Sequence, residues 1–350
     1  MGLAGELIQN RDKQGTVITI SPQDTVSTAA EIMRDERIGS LVVVNNERRV
    51  VGILSERDIV ARVTAAQSDP STILVYDVMT SPVVSCTPTT PLDEVRELMR
   101  ENHIRHVAVV DGDKLSGMVS SREIFARRLA ADRDVRNLAI FSLARLAETR
   151  DTDTGPHLER VREYARILAN QLRRRDIYAE TIDNSFVDLI YVTSPLHDIG
   201  KVSIPDAVLL KPGRLTDAEY EVMKTHAQTG AGTLDRALQE FPDADFLKMA
   251  RDIASSHHER VDGTGYPNGL IGDEIPLSAR IFSVVDVYDA LVSKRVYKDA
   301  FSPIVAKNII MQGANSQFDQ DVVAAFIECE PAFARTYEQY AAGAMAMAMA

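Results

Sequence analysis

Thiols are nearly absent from the sequence. Its two cysteines, Cys86 and Cys329, stand far apart in a chain of 350 residues and belong to no motif. That excludes a disulfide-stapled fold and fits small buried hydrophobes in a reducing compartment. Long apolar runs are also missing. No stretch approaches the roughly 20 residues of a membrane span. The N-terminus has no basic region followed by an apolar run, so no signal peptide is expected and the cytoplasm is the expected compartment. Positive charge is scarce, with 39 Lys and Arg against 51 Asp and Glu and a net charge of -12. A basic face for DNA is thereby excluded, and an anionic ligand would need a local positive site, such as metal ions beside a few Lys or Arg. Between Ser121 and Arg150 there is neither glycine nor proline, which excludes a floppy linker there. A chain of this length predicts two or three domains.

What is present first is a repeat. Val17-Ile18-Thr19-Ile20-Ser21-Pro22, a helical run from Val26 to Arg37, the apolar Ser40 to Val44, and Val50 to Ile59 form one unit. Val83 to Pro88, Leu92 to Asn102, His106 to Val110 and Leu115 to Ile124 repeat it. Short β-branched runs read as buried strands, with turns at Asn45-Asn46 and Asp111-Gly112-Asp113. Ser55 with Asp58, and Ser120 with Glu123, are spaced as capping boxes at helix starts. His103 and His106 straddle a helix-to-strand junction, a poor spacing for chelation. The repeat resembles a tandem pair of CBS domains over residues 16–129 (copies 16–62 and 75–129), after an N-terminal segment 1–15. The resemblance implies an adenine nucleotide or S-adenosylmethionine held by Gly52, Ser55 and Asp58, and in the second copy by Gly117, Ser120 and Glu123, where glutamate replaces the family's aspartate.

From Ser121 to Arg150 the apolar period turns helical, with 130–150 as a connecting helix. Such a helix can transmit a shift, pair with its twin in a dimer, or serve as a spacer. Five of the seven histidines lie at or after His157. His157 falls in the first turn of a helix after Gly155-Pro156. His197-Asp198 follows apolar neighbours that would bury it, and a buried His-Asp pair without partners costs several kcal/mol. His257-His258 repeats the device on a second helix. Imidazoles and carboxylates interspersed on helices suit a divalent metal. Adjacent histidines diverge enough to serve two ions about 3.5–4 Å apart with Asp198 bridging.

Residues 138–337 resemble the HD superfamily of metal-dependent phosphohydrolases, and within it the HD-GYP branch. The resemblance rests on His197-Asp198-Ile199-Gly200-Lys201, Leu210-Lys211-Pro212-Gly213-Arg214-Leu215, His226 with Gly230, His257-His258-Glu259, Asp262-Gly263-Thr264-Gly265-Tyr266-Pro267, and Asp286 through Lys298. It implies metal ligands at His197, Asp198, His226, His257, His258 and Asp286. His157 matches the upstream ligand of members with a third ion, and Asp153 stands four residues before it where they carry glutamate. It also implies a phosphate contact at Lys201, a catalytic part for Lys201 and Asp198, and a basic pair, Arg295 and Lys298, gripping the diester. Val296 and Val261 depart from the usual proline and tryptophan. The loop Gly265, Tyr266, Pro267 is the family's proposed partner contact. Residues 338–350 read as a low-complexity tail.

The expected architecture is multidomain: an α/β tandem CBS pair followed by an all-α HD-type helical domain. The expected activity is hydrolysis of cyclic di-GMP to pGpG or GMP by a metal-bridged hydroxide. Two or three ions, iron or manganese, would be held, and nucleotide binding to the CBS pair would regulate. A homodimer through the CBS pair and connecting helix is expected, with a diguanylate cyclase or other signalling protein as partner and neither DNA nor membrane. The competing readings are an HD hydrolase for another cyclic dinucleotide or nucleotide, and a catalytically silent nucleotide-sensing scaffold.

Overall fold

The structure is a computed structural model that describes residues 2–9, 17–149, 156–293 and 300–348. It divides into two compact units, Met1–Arg133 and Asp134–Ala350. The first unit opens with α1 (Ala4–Gln9) and then repeats one plan twice. The first copy contains β1 (Thr19–Ile20), α2 (Val26–Glu36), β2 (Ser40–Val44), β3 (Val50–Ser55) and α3 (Glu56–Ile59), which runs into a π-helical turn, Val60–Thr64. The second contains α4 (Val75–Val78), β4 (Ser85–Cys86), α5 (Leu92–Glu101), β5 (His106–Asp111), β6 (Lys114–Ser120) and the start of α6 (Ser121–Glu148).

Each copy builds a three-stranded sheet in which the first strand pairs parallel with the second and the second antiparallel with the third. The register shifts at equivalent places, Val43/Val44 and Val109/Val110. In the second hairpin Gly112 takes the left-handed conformation (φ 61°). In the first, Asn45 Oδ1 accepts from the Glu47 and Arg49 amides and Arg48 takes that conformation (φ 60°). Leu41, Val43, Leu54 and Val26 are fully buried in one copy, and Val107, Val109, Val119 and Val95 in the other. Burying each such side chain stabilises by about 1.5–3 kcal/mol.

Both capping boxes form. The Ser55 amide donates to Asp58 Oδ2 (3.0 Å) while Ser55 Oγ accepts from the Asp58 amide. Ser120 and Glu123 repeat this at 2.9 and 3.3 Å. Asp58 also accepts from Thr80 Oγ1 (3.1 Å) and faces Arg62 (3.5 Å).

The helix α6 starts directly after β6, at Ser121, where the helical period begins in the sequence, and runs unbroken to Glu148. The second unit continues with α7 (His157–Leu172), α8 (Asn184–Thr193), α9 (Asp206–Leu209), α10 (Asp217–Glu240), α11 (Asp245–Ser256), α12 (Leu277–Val292), α13 (Pro303–Gln312) and α14 (Gln320–Ala348). Two 3-10 turns, Ser194–Leu196 and Ile199–Ser203, lie between α8 and α9. The sequence Leu277 to Val292 is apolar nearly all round, as a central helix must be, and α12 is accordingly the core of this unit. Its Phe282, Val285 and Tyr288 are fully buried among Tyr164, Leu168, Phe326 and Phe333. Tyr164 stacks on Phe333 with centroids 4.5 Å apart. Cys86 and Cys329 are both buried thiols, pushed up to about 11 and about 12 by burial. No helix among the described residues is long and apolar enough to cross a membrane.

Candidate metal centre

His197 and Asp198 do not lie within an α-helix. They join the two 3-10 turns, with His197 closing the first and Asp198 preceding the second. His257 likewise caps the end of α11, and His258 follows it. The physical reason is reach: neighbours inside an α-helix point about 100° apart, whereas at a helix end the backbone turns and both can converge. His226 is mid-helix on α10 and Asp286 mid-helix on α12.

The approach of these elements depends on glycine. A Cβ on Gly200 would overlap the His226 carbonyl and lie 2.6 Å from the Gly230 amide nitrogen. The 3-10 turn therefore packs backbone to backbone on α10, which brings Asp198 to His226.

Three imidazoles are set in the same way. His197 Nδ1 lies 3.0 Å from the Ser194 carbonyl, His226 Nδ1 2.7 Å from that of Met223, and His257 Nδ1 3.0 Å from that of Ile253. Each Nδ1–H donates to a carbonyl, which leaves Nε2 as the free lone pair. All three Nε2 atoms face Asp198, at 3.1, 3.2 and 3.8 Å. These nitrogens and Asp198 Oδ1 are buried without a well-formed hydrogen bond. Buried polar atoms left unpaired are costly, and divalent cations at this cluster would satisfy them. Asp198, His226, His257 and His258 form one group whose ligand atoms lie within 4.8 Å of one another, and His157, His197 and Asp286 form another. The residues present therefore fit a metal centre of imidazole and carboxylate, with no thiolate.

Charge in the cluster is strongly shaped by burial. Burial alone would lower His197, but Asp198, Asp286 and Glu148 outweigh it and raise it to about 9. Burial lowers His257 to about 4, helped by His197. His258 is driven down by burial and by His257. For Asp198, burial works upward, yet Lys201 and His197 hold the carboxyl well below its usual range. Lys201 Nζ sits 2.8 Å from Asp198 Oδ2.

Asp198, Lys201, His226, His257, His258, His157 and Asp286 line a cavity of about 580 Å³ that also reaches Tyr220, Tyr266, Arg260 and Gln317. Tyr266 stacks on His258, centroids 4.7 Å apart, and Lys224 lies 5.6 Å from the Tyr266 ring. The loop carrying Gly265, Tyr266 and Pro267 is held from behind: buried Glu259 accepts from the amides of Asn268 (2.7 Å) and Leu270 (3.1 Å). Asp153, Arg295 and Lys298 lie outside the described residues. Among the described residues, neither His103 nor His106 joins a potential ligand group.

Several contributors were not singled out from the sequence. Asp289 Oδ2 is 2.7 Å from His157 Nδ1, and Arg160 grips the same carboxylate at 2.6 and 2.8 Å. The spacing of Asp286 and Asp289, three apart on one helix face, was the available signal. Glu259 had no signal beyond its place after the histidine pair, and Glu148 had none.

Residues 142–322 match the HD domain family, just over half of the chain. The chain belongs to the HD-domain family. Residues 14–65 and 75–129 match the CBS domain. The chain resembles a cyclic di-GMP phosphodiesterase of Vibrio cholerae, 48% identical over 216 residues (62% of this chain, 43% of the relative). A cyclic di-GMP phosphodiesterase of Thermotoga maritima is 38% identical over 194 residues (55% and 49%). A 3'3'-cGAMP-specific phosphodiesterase 2 of Vibrio cholerae is 37% identical over 196 residues (56% and 35%). The chain spans less than half the length of each of these relatives. An HD domain implies divalent metal binding, and the His/Asp cluster supplies ligands for it.

Proposed function

We propose that this chain is a metal-dependent phosphodiesterase that hydrolyses cyclic di-GMP to pGpG or GMP. The observation that carries the reading is the convergence of three buried Nε2 atoms on Asp198, beside a second group of candidate ligands, with Asp198, His226, His257 and His258 lining one cavity. Relatives named for cyclic di-GMP support the substrate. The ligands on this reading are His197, Asp198, His226, His257, His258 and Asp286, with His157. Bound divalent ions would polarise the phosphodiester and lower the pKa of water at the site.

The chain's own residues do the rest. Asp198 lies 3.1 Å from His197 of one group and 3.2 Å from His226 of the other, and it also holds Lys201. That ammonium is thereby aimed into the cavity, where it offsets charge developing on the phosphate. On the resemblance, Arg295 and Lys298, three apart in the sequence, would grip the diester. Tyr266, stacked on His258, shields the ligands from bulk water. The donor set, imidazole and carboxylate without thiolate, suits iron or manganese.

The CBS pair would bind an adenine nucleotide or S-adenosylmethionine at Ser55 and Asp58, and at Ser120 and Glu123, and so regulate hydrolysis. A homodimer through the CBS pair and α6, a diguanylate cyclase docking at Gly265, Tyr266 and Pro267, and a cytoplasmic site complete the proposal. A second substrate, 3'3'-cGAMP, is favoured by the relative named for it.

The test is turnover by the full chain loaded with Fe(II) or Mn(II) under reducing conditions, with both dinucleotides offered. Cyclic di-GMP should be consumed, and chelator should stop the reaction. Consumption of 3'3'-cGAMP alone would reassign the substrate. No turnover of either would leave the scaffold reading standing and sink this one.

A further inference from the structure

The resemblance to HD-GYP proteins places the acid of the upstream ion four residues before His157, at Asp153. A different acid is aimed at His157. Glu148 is the last residue of α6. Its Oε1 lies 3.8 Å from His157 Nε2, its side chain is 15% exposed, and it lines the same cavity as Asp198, Lys201 and Asp286. Metal bonds of about 2.0–2.2 Å put neighbouring ligand atoms roughly 3–3.8 Å apart, so the pair can share one ion.

The rest of the position is already built. Asp289, held by Arg160, fixes His157 through Nδ1 and turns Nε2 toward Glu148. Such a carboxylate behind an imidazole is the usual support of a metal-bound histidine. The His157 and His197 rings meet edge to face, centroids 5.6 Å apart. His197 is 1% exposed, and its Nε2 is buried without a well-formed hydrogen bond. Burial also pushes the Glu148 carboxyl up, which His157 and His197 counter; a cation would relieve both.

We propose that Glu148 supplies a second carboxylate ligand, beside Asp286, for an ion held with His157 and His197. This rests on reading the cluster as a metal centre, but not on its substrate. An ion there would fasten the last turn of α6 to the first turn of α7, making occupancy of this position sensitive to the connecting helix.

The experiment counts ions. Full-length protein is stripped with chelator, titrated with Mn(II), desalted and analysed for metal. Wild type should hold about one ion per chain more than Glu148→Gln. His157→Ala should resemble Glu148→Gln, and Asp153→Asn should resemble wild type. Thermal unfolding in chelator should be unchanged in Glu148→Gln. In wild type, Mn(II) should also slow amide hydrogen exchange in the last turn of α6, a readout that needs no variant. Full Mn(II) stoichiometry in Glu148→Gln, or the loss appearing in Asp153→Asn instead, overturns the proposal. If wild type holds no Mn(II), the metal-centre reading falls with it. Failure of the phosphodiesterase reading would appear separately, as full metal content without turnover.

Discussion

Asp289 shows how much of the centre depends on residues that hold no ion themselves. It is 2% exposed, and burial would push its carboxyl up, yet Arg160 and His157 bring it down to about 2. Removing one partner of a buried pair leaves the other charged and unpaired, a cost of about 3–5 kcal/mol. Asp289→Asn should lose stability of that order in urea unfolding, measured in chelator so that metal does not contribute. A loss well below 1 kcal/mol would show that Arg160 finds another partner. His197 carries a second prediction. Its value is raised from 6.5 to about 9. In chelator its contribution to stability is therefore fully present below pH 6.5 and is lost as pH rises through 9. With metal the sign reverses, because the ion must displace that proton, and affinity should rise about tenfold per pH unit across this window. Unfolding curves at pH 6.5 and 9, with and without Mn(II), check both, and His197→Ala should flatten the chelator curve there.

At the scale of elements, the site is a meeting of chain ends and one close crossing. His197, Asp198, His257 and His258 all occupy places where a helix stops, and Gly200 lets one of those places touch α10. Gly200→Ala forces a methyl into the His226 backbone, and overpacking of this kind costs about 1–3 kcal/mol. Both stability and Mn(II) affinity should fall, since the 3-10 turn must retreat and carry Asp198 away from His226. Unchanged metal affinity in that variant would refute the crossing as the positioning device.

The candidate ligands and their spacing are legible in the sequence, because imidazole and carboxylate chemistry is written in residue identity. The sequence did not reveal that paired ligands sit at helix ends, since periodicity describes helix interiors. Nor did it reveal Asp289 beside His157, 132 positions away, because only packing of α7 on α12 unites them. The two sheets were legible for a simpler reason. Each copy alternates short apolar runs with turn residues, and the second copy repeats the first.

For the whole molecule, the first unit offers a test of its own. Asp58 already accepts from Ser55 and Thr80, so on the proposed reading a ribose hydroxyl arriving there would compete with Thr80 for Oδ1. Thr80→Val should tighten AMP binding to the full chain by about fivefold, equivalent to ~1 kcal/mol, the typical net worth of one hydrogen bond. Asp58→Ala should abolish it. Calorimetry decides, and equal binding by all three proteins would move the nucleotide elsewhere. The helix α6 begins at the second capping box and ends at Glu148, beside the cavity.

The absence of sulfur from the ligand set has a consequence for the living cell. Imidazole and carboxylate hold iron and manganese less tightly than zinc or copper, so this protein cannot choose its ion by affinity. The composition of its centre would follow the cell's diet.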